Sequence, residues 1–264
     1  MEKYLENLKT EWLREENSDF SGWDFSHIEP HRMRSEPLFW DYRAMAKSLL
    51  RPEHELLDMG TGGGELLESL GHPYERTSVT EGWDVNLELC RKRLAPKGVR
   101  VERWSDPPER LPFADESFDV VLNSHESYGI DEVRRVLKPG GIFLTEQVGG
   151  ENSAPLRAFL LPERSANLAH SDADDAGFVF DLTHERESVE QAGFEVLAAA
   201  EQYPKSKFFD VGAIVWYCRV VVWEFPGFSV EKCFDKLVEL QKRLERDGYV
   251  ENREHRFLLM LRKL

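Results

Sequence analysis

The spacing of apolar and polar positions changes character near residue 55 of the 264. Before that point apolar residues recur at helical intervals. Tyr4, Leu5, Leu8, Trp12 and Leu13 mark one face of a first helix. Leu38, Tyr42, Met45, Ala46 and Leu49 mark a second, within "PLFWDYRAMAKSLL", with Pro37 placed for its first turn. Between them "SGWDFSHIEPHRMRSEP" is rich in turn formers yet carries Trp23, Phe25 and Ile28, which predicts an ordered loop. Beyond residue 55 short apolar runs alternate with helical patterns. "ELLDM", "TSVTE", "VRVER", "FDVVLNS" and "GIFLTEQV" predict strands. "GELLESLG", "DVNLELCRKRL" and "DEVRRVLKPGG" predict the helices between them, with Asp84 and Asp131 as N-caps.

The alternation then loosens. Residues from about 149 to 183 carry proline, charge and the acidic cluster "SDADD", and residues from about 203 to 228 hold the apolar run "FFDVGAIVWYCRVVVW". Both predict insertions. "GFEVLAAAEQ" and "HRFLLMLRK" supply a sixth and a seventh strand, and "SVEKCFDKLVELQKRLERDG" an amphipathic helix that stops at Gly248. Strands alternating with helices imply right-handed crossovers and an α/β, doubly wound, mostly parallel sheet covered on both faces. Ligands of such sheets bind beyond the carboxyl ends of the strands, where strand order reverses. The expected organisation is a helical cap or substrate lid over residues 1–50 and a ligand-binding domain over 51–264.

Charge narrows the function. A net charge of -15 argues against a general polyanion binder and suits an enzyme acting on small molecules. The basic run "CRKRLAPKGVRVER" is expected to be a solvated helix face. Cys90, Cys218 and Cys233 are widely separated and make neither a disulfide framework nor a metal pattern. The acidic amphipathic start lacks the features of a signal peptide, and "VGAIVWYC" is too short to span a bilayer. A cytoplasmic protein with no membrane partner is the expectation, as a monomer or homodimer.

The most informative stretch is "LLDMGTGGGELLESLG". Gly60 and Gly62 fit a dinucleotide-binding G-x-G-x-x-G, but Glu65 stands where the third glycine belongs, its carboxylate facing the pyrophosphate. No Gly-Lys-Ser/Thr ending makes a phosphate loop. What remains is D-x-G-x-G-x-G: Asp58, Gly60, Gly62 and Gly64, a backbone able to lie against a ligand. The alternative is a tight strand-to-helix turn that binds nothing.

This pattern resembles the first motif of the class I S-adenosylmethionine (SAM)-dependent methyltransferases, a family with a three-layer, seven-stranded Rossmann-like fold. The resemblance covers roughly residues 55–148, including "LPFADESFDVV" and "DEVRRVLKPGGIFL". It implies that Asp58, Gly60, Thr61, Gly62 and Gly64 hold the methionine part of SAM, whose sulfonium and ammonium welcome acidic neighbours. It implies that Glu81 accepts the ribose hydroxyls, Asp84 being the rival acid, with Gly82 and Trp83 beside adenine or ribose. Trp83 could equally cover the sheet edge as a surface aromatic. Ser105 and Asp106 fall at the adenine end, where Pro107 departs from the family by lacking an N–H.

Methyl transfer is an in-line displacement, so a base is needed only when the nucleophile must lose a proton. "NSHESYG" ends the fourth strand: Asn123 is expected as a cofactor contact, and His125 as the catalytic base or as a rim histidine paired with backbone or Glu126. Trp23, His27, Tyr128, Phe209 and Asp210 are expected to line a deep, mostly enclosed substrate pocket. His27 and His31 lack the further ligands of a metal site, so no metal is expected. The resemblance thus implies a SAM-dependent methyltransferase acting on an O or N nucleophile of a small-molecule acceptor. An RNA methyltransferase and a SAM-binding protein without transfer activity are the alternatives.

Overall fold

The computed structural model describes residues 2–20, 23–104, 110–162 and 180–264. Its strands, numbered in chain order, form two sheets. A three-stranded sheet joins β1 (Met33–Ser35), β8 (Lys205–Phe208) and β9 (Val250–Arg253). The larger sheet contains β2 (Leu56–Met59), β3 (Thr77–Glu81), β4 (Arg100–Arg103), β5 (Phe118–Ser124), β6 (Leu137–Val148), β7 (Phe194–Gln202) and β10 (Arg256–Lys263). Their spatial order is β4-β3-β2-β5-β6-β10-β7. Strands β4 to β6 run parallel, and β10 lies antiparallel to both β6 and β7. All seven strands expected from the sequence are present. The order reverses between β2 and β5, so the glycine-rich turn after Met59 and the loop after Ser124 face each other across the switch point.

Both faces of this sheet are covered, as an all-apolar parallel sheet requires. On one side lie Tyr42 and Ala46 of α2 (Tyr42–Leu49), Leu67 and Leu70 of α3 (Glu65–Leu70) and Cys90 of α4 (Asp84–Arg93), against Leu56, Val79, Val120 and Leu144. The other side takes Val133 and Val136 of α5 (Ile130–Val136) and Val189 of α7 (Leu182–Gln191), against Leu57, Val121 and Phe143.

A second core stands apart from the sheet. Its centre is α8 (Val211–Val220), in which every residue except Arg219 is buried. That explains why its sequence is apolar all round rather than on one stripe. Around it pack Trp12 of α1 (Glu2–Glu16), Leu160 of α6 (Ala154–Leu160), Leu237 of α9 (Val230–Asp247) and Phe208 of β8. The amino-terminal stretch therefore divides, α1 joining the second core and α2 the sheet. No short apolar run announces β1, β8 or β9, and the sequence gives no hint of their sheet.

Several helix starts differ from expectation. The second helix begins at Tyr42, not near Pro37, because the Asp41 carboxylate accepts the Ala44 N–H at 2.9 Å and caps it there. Asp84 is the first residue inside α4, which follows Trp83 without a side-chain cap, and its carboxylate pairs with Arg103. Asp131 likewise lies inside α5, which starts after Gly129. Both acids still face the positive end of a helix dipole. At α9 the expected stop holds, Gly248 ending the helix at a φ of 81°, and the Ser229 side chain caps its start by accepting the Lys232 N–H. Among the described residues no helix is long and apolar enough to cross a membrane.

Asp210 ties the two ends of the second body together. Its carboxylate accepts the Ala213 N–H at 2.8 Å, capping α8, and accepts two hydrogen bonds from Arg32 at 2.9 and 2.7 Å. Replacing Asp210 with alanine should cost about 0.5–2 kcal/mol from the cap alone. In calorimetry that appears as a Tm lowered by roughly 2–4 °C per kcal/mol, whereas Asp210→Asn keeps much of the cap. An unchanged Tm for Asp210→Ala would contradict this role.

Candidate functional site

The turn after β2 is set by backbone geometry. Gly60 has a φ of 66°, and a Cβ there would lie 2.5 Å from Cβ of Glu126, so only glycine fits. Gly62 has a φ of 60°, with the Trp23 ring 3.4 Å from where its Cβ would stand. The Gly60 and Thr61 amides are spent on the Thr80 carbonyl, at 3.0 and 3.2 Å, which pins the turn against β3. Gly62 and Gly64 then bring the chain around into α3.

Two carboxylates underlie this turn. Asp58 is only 4% exposed, and burial, with Glu81 adding repulsion, pushes its carboxyl up to about 7 despite help from Thr61. Glu81, at the end of β3, is also buried, and burial raises it as well. Its oxygens accept the Gly62 N–H and the Trp83 N–H, each at 2.9 Å. The Gly82 N–H and the Asn86 side chain also donate to this carboxylate. The structure thus brings Asp58, Gly60, Thr61, Gly62, Glu81, Gly82 and Trp83 together at one strand-end cluster, with Gly64 at the N-cap of α3. Ser105 and Asp106 lie outside the described residues.

An aromatic group stands over the turn. Phe20 stacks on Trp83 with ring centroids 6.1 Å apart, and Trp23 meets Trp83 at 6.3 Å and Trp223 at 5.6 Å. Trp83 therefore joins the amino-terminal loop to the glycine turn, and its ring remains partly exposed.

Across the switch point, Asn123 is completely buried. Gln147 donates to Asn123 Oδ1 at 2.7 Å and also to Thr145 Oγ1 and the Glu126 carbonyl. That fixes the amide and leaves Asn123 Nδ2 as a buried donor with no partner. His125 follows with a φ of 64°, an uncommon conformation for a non-glycine residue and one that collects at functional sites. Its N–H donates to the Glu146 carbonyl at 2.8 Å, and its Nε2 lies 3.4 Å from Glu146 Oε1. Burial, and the Arg256 guanidinium, push the imidazole below its ordinary value although its edge reaches solvent. Glu146 is raised by burial while Trp40 donates its indole N–H to Oε2. Beside this pair runs an open groove of about 560 Å³ lined by Pro37, Trp40, Asp41, Leu66, Ser124 and Glu146.

Other expected substrate residues are occupied elsewhere. His27 Nε2 sits 2.7 Å from Glu15 and its ring packs on Trp216, while Asp210 holds Arg32. Phe209 lies under the Arg34 guanidinium at 5.7 Å. Tyr128 donates to Glu185 at 2.6 Å, its ring edge-on to Phe143 in the core. None of these side chains, nor Trp23 or His125, lines the open groove at the strand ends. Glu146, Gln147 and Arg256 were not singled out from the sequence. The signal for the first two was available: "TEQ" is a polar interruption at the end of an otherwise apolar strand.

Residues 57–145 match the family model described as a methyltransferase domain. The chain is 32% identical over 106 residues to the "Uncharacterized methyltransferase YodH" of Bacillus subtilis, covering 38% of this chain. It is 32% identical over 112 residues to the "Ubiquinone/menaquinone biosynthesis C-methyltransferase UbiE" of Cupriavidus necator, covering 39% of this chain. Both alignments take in 46% of the relative, so the chain spans about half the length of the curated relatives it matches. Among solved structures, a putative methyltransferase from Bacillus halodurans aligns with a TM-score of 0.54 at 19% identity, over 84% of this chain and 98% of that one. A functionally unknown protein from Deinococcus radiodurans aligns over the whole of both chains, with a TM-score of 0.53 at 15% identity. At such identities these are likenesses of fold.

The buried acid beneath the turn has a measurable signature. Unfolded, Asp58 loses its proton near its ordinary 3.8; folded, it holds it until about 7. The folded state therefore binds more protons across that window, and this group's contribution to stability falls as pH rises from about 4 through 7. Asp58→Asn should flatten that slope and raise stability at pH 7.5 by an amount on the order of a few kcal/mol. Urea denaturation at pH 5 and pH 7.5 checks this. A variant less stable than the parent at pH 7.5, with the same slope, would contradict it.

Proposed function

We propose that this chain, whose residues 57–145 match the model of a methyltransferase domain, is a class I enzyme that transfers a methyl group from SAM to an O–H or N–H nucleophile of a small molecule. The observation that carries this reading is the acid-floored glycine turn at the sheet's switch point. The side chains present fit SAM. The turn offers backbone that a ligand can approach closely, and Asp58 and Glu81 are buried acids whose recorded neighbours are amides, a hydroxyl and each other rather than cations. A cofactor carrying a sulfonium and an ammonium relieves that uncompensated charge, whereas a pyrophosphate would add to it. Glu81 would take the ribose hydroxyls, and Asn123 Nδ2 offers a further donor. Trp83 and Trp23 offer stacking faces.

Bound SAM supplies an electrophilic methyl group. The chain's own contribution is to hold the acceptor in line with it and to keep water away, an orientation effect that can supply roughly 7–11 kcal/mol. The groove between residues 37–43 and the ends of β5 and β6 is the place for the acceptor. Its walls are the side chains of Trp40 and Leu66, and its polar end carries Ser124 and Glu146. A small acceptor suits it better than RNA. The basic run that could have met phosphates is largely paired: Arg93 with Glu65 and Glu68, Lys97 with Glu68, Arg91 with Glu88, Arg100 with Glu102 and Arg103 with Asp84.

Two measurements test the reading. Removing Glu81's charge-assisted hydrogen bonds, worth roughly 1.5–3 kcal/mol each, should weaken S-adenosylhomocysteine binding to Glu81→Ala by about tenfold or more. Asp84→Ala, whose carboxylate points to Arg103, should bind normally; loss of binding in Asp84→Ala alone would reverse the assignment. Isotopically labelled SAM incubated with the small-molecule fraction of a cell extract should yield labelled products by mass spectrometry. Tight SAM binding with no product in any fraction would leave a binding protein without transfer activity.

A further inference from the structure

We propose that Glu146, rather than His125, is the catalytic residue that takes the proton of the methyl acceptor. This rests on the methyl-transfer reading and adds to it a residue and a direction of approach. Of the two groups, Glu146 lines the groove at the strand ends, together with Trp40, Leu66 and Ser124. The Trp40 indole N–H holds one carboxylate oxygen, Oε2. The other, Oε1, has its nearest recorded partner in His125 Nε2 at 3.4 Å, too long for a firm hydrogen bond. A lone pair on Oε1 is therefore available to a donor in the groove.

The charges around the pair differ in sense: Arg256 lowers both groups, whereas Asp41 raises Glu146. Arg256 reaches it from β10, Asp41 from the cap of α2, and Arg43 lines the groove beside Asp41. Arg256 is itself committed, with Nη2 on Glu254 at 2.8 Å and Nη1 on Asn152 at 2.6 Å. Burial, helped by Asp41 and opposed by Arg256, moves Glu146 up from the ordinary carboxylate range, whereas the enclosed edge of the ring and Arg256 move His125 down. A base is most effective when its proton affinity matches the working pH. His125 is a positioning residue: its left-handed backbone and its N–H on the Glu146 carbonyl fix the end of β5 against the end of β6.

The step balances simply. The acceptor's O–H or N–H gives its proton to Glu146 Oε1, and the freed lone pair forms the new bond to the methyl carbon. The sulfur–carbon bond breaks with its electron pair left on sulfur, giving a neutral thioether, and Glu146 later releases the proton to solvent.

The test combines a titration with two variants. Protein labelled with carboxyl-¹³C glutamate and ¹⁵N histidine is titrated by NMR, with E146Q and H125Q identifying the two resonances. Glu146 should titrate above the ordinary glutamate range and His125 below the ordinary histidine range. With labelled SAM and the small-molecule extract fraction, E146Q should lose roughly 100-fold or more in product formation. Its S-adenosylhomocysteine affinity should be unchanged. Glu146→Asp should recover part of the rate together with its acid limb, and H125Q should keep that limb. His125 titrating in its ordinary range above Glu146, or H125Q losing the limb while E146Q keeps it, would overturn the proposal and leave methyl transfer standing. A wild-type protein that binds no S-adenosylhomocysteine would overturn the methyl-transfer reading itself.

Discussion

Two buried carboxylates with no cation against them among the described residues are the constraint from which the rest of the site follows. Asp58 and Glu81 end adjacent parallel strands at the sheet's switch point, each largely out of water. Leaving charge there is costly, and among the described residues the cost is met by backbone amides at Glu81 and by the Thr61 side chain at Asp58 rather than by lysine or arginine. The glycine turn makes that arrangement possible. Only a chain able to enter left-handed conformations can carry the Gly62 amide to Glu81 while staying narrow enough for Glu126 to pass over Gly60. The remaining electrostatic deficit is a preference for a positively charged guest.

The second body completes the picture by supplying aromatic surface. The helices α1, α8 and α9 stand apart from the parallel sheet, in the second core. They position the loop bearing Phe20 and Trp23, which meet Trp83 over the turn, and the segment bearing Trp223, which meets Trp23. The Arg32–Asp210 pair and the Glu15–His27 contact lock that body together. His27 and Asp210, which the sequence placed at the substrate, make these contacts.

How much of this the sequence made legible depends on the range of the interactions. The seven strands and the glycine turn were readable because apolar periodicity and glycine spacing are local, and Asp58 and Glu81 were readable because they sit at strand ends beside that turn. The pairing of His27 with Glu15 and of Asp210 with Arg32 joins residues as far as 178 positions apart, which no spacing rule reveals. The same holds for Glu146, whose importance comes from Trp40 reaching it across 106 positions and from His125 on the neighbouring strand. Helix starts slipped for a different reason: Asp84 and Asp131 suit an N-cap by type, but an extended Trp83 and Gly129 already turn the chain one and two residues earlier.

The most direct measurement of the central claim is calorimetric titration of SAM into the protein in buffers of different ionisation enthalpy, between pH 6 and 8. If the sulfonium and ammonium settle beside Asp58, the carboxyl that holds its proton to about 7 in the free protein must give it up on binding. Binding should therefore release protons near neutral pH, and affinity should rise through that range and level off above it. Binding that is independent of pH and buffer, or NADH bound in preference to SAM, would show that the acid floor is not what the site uses.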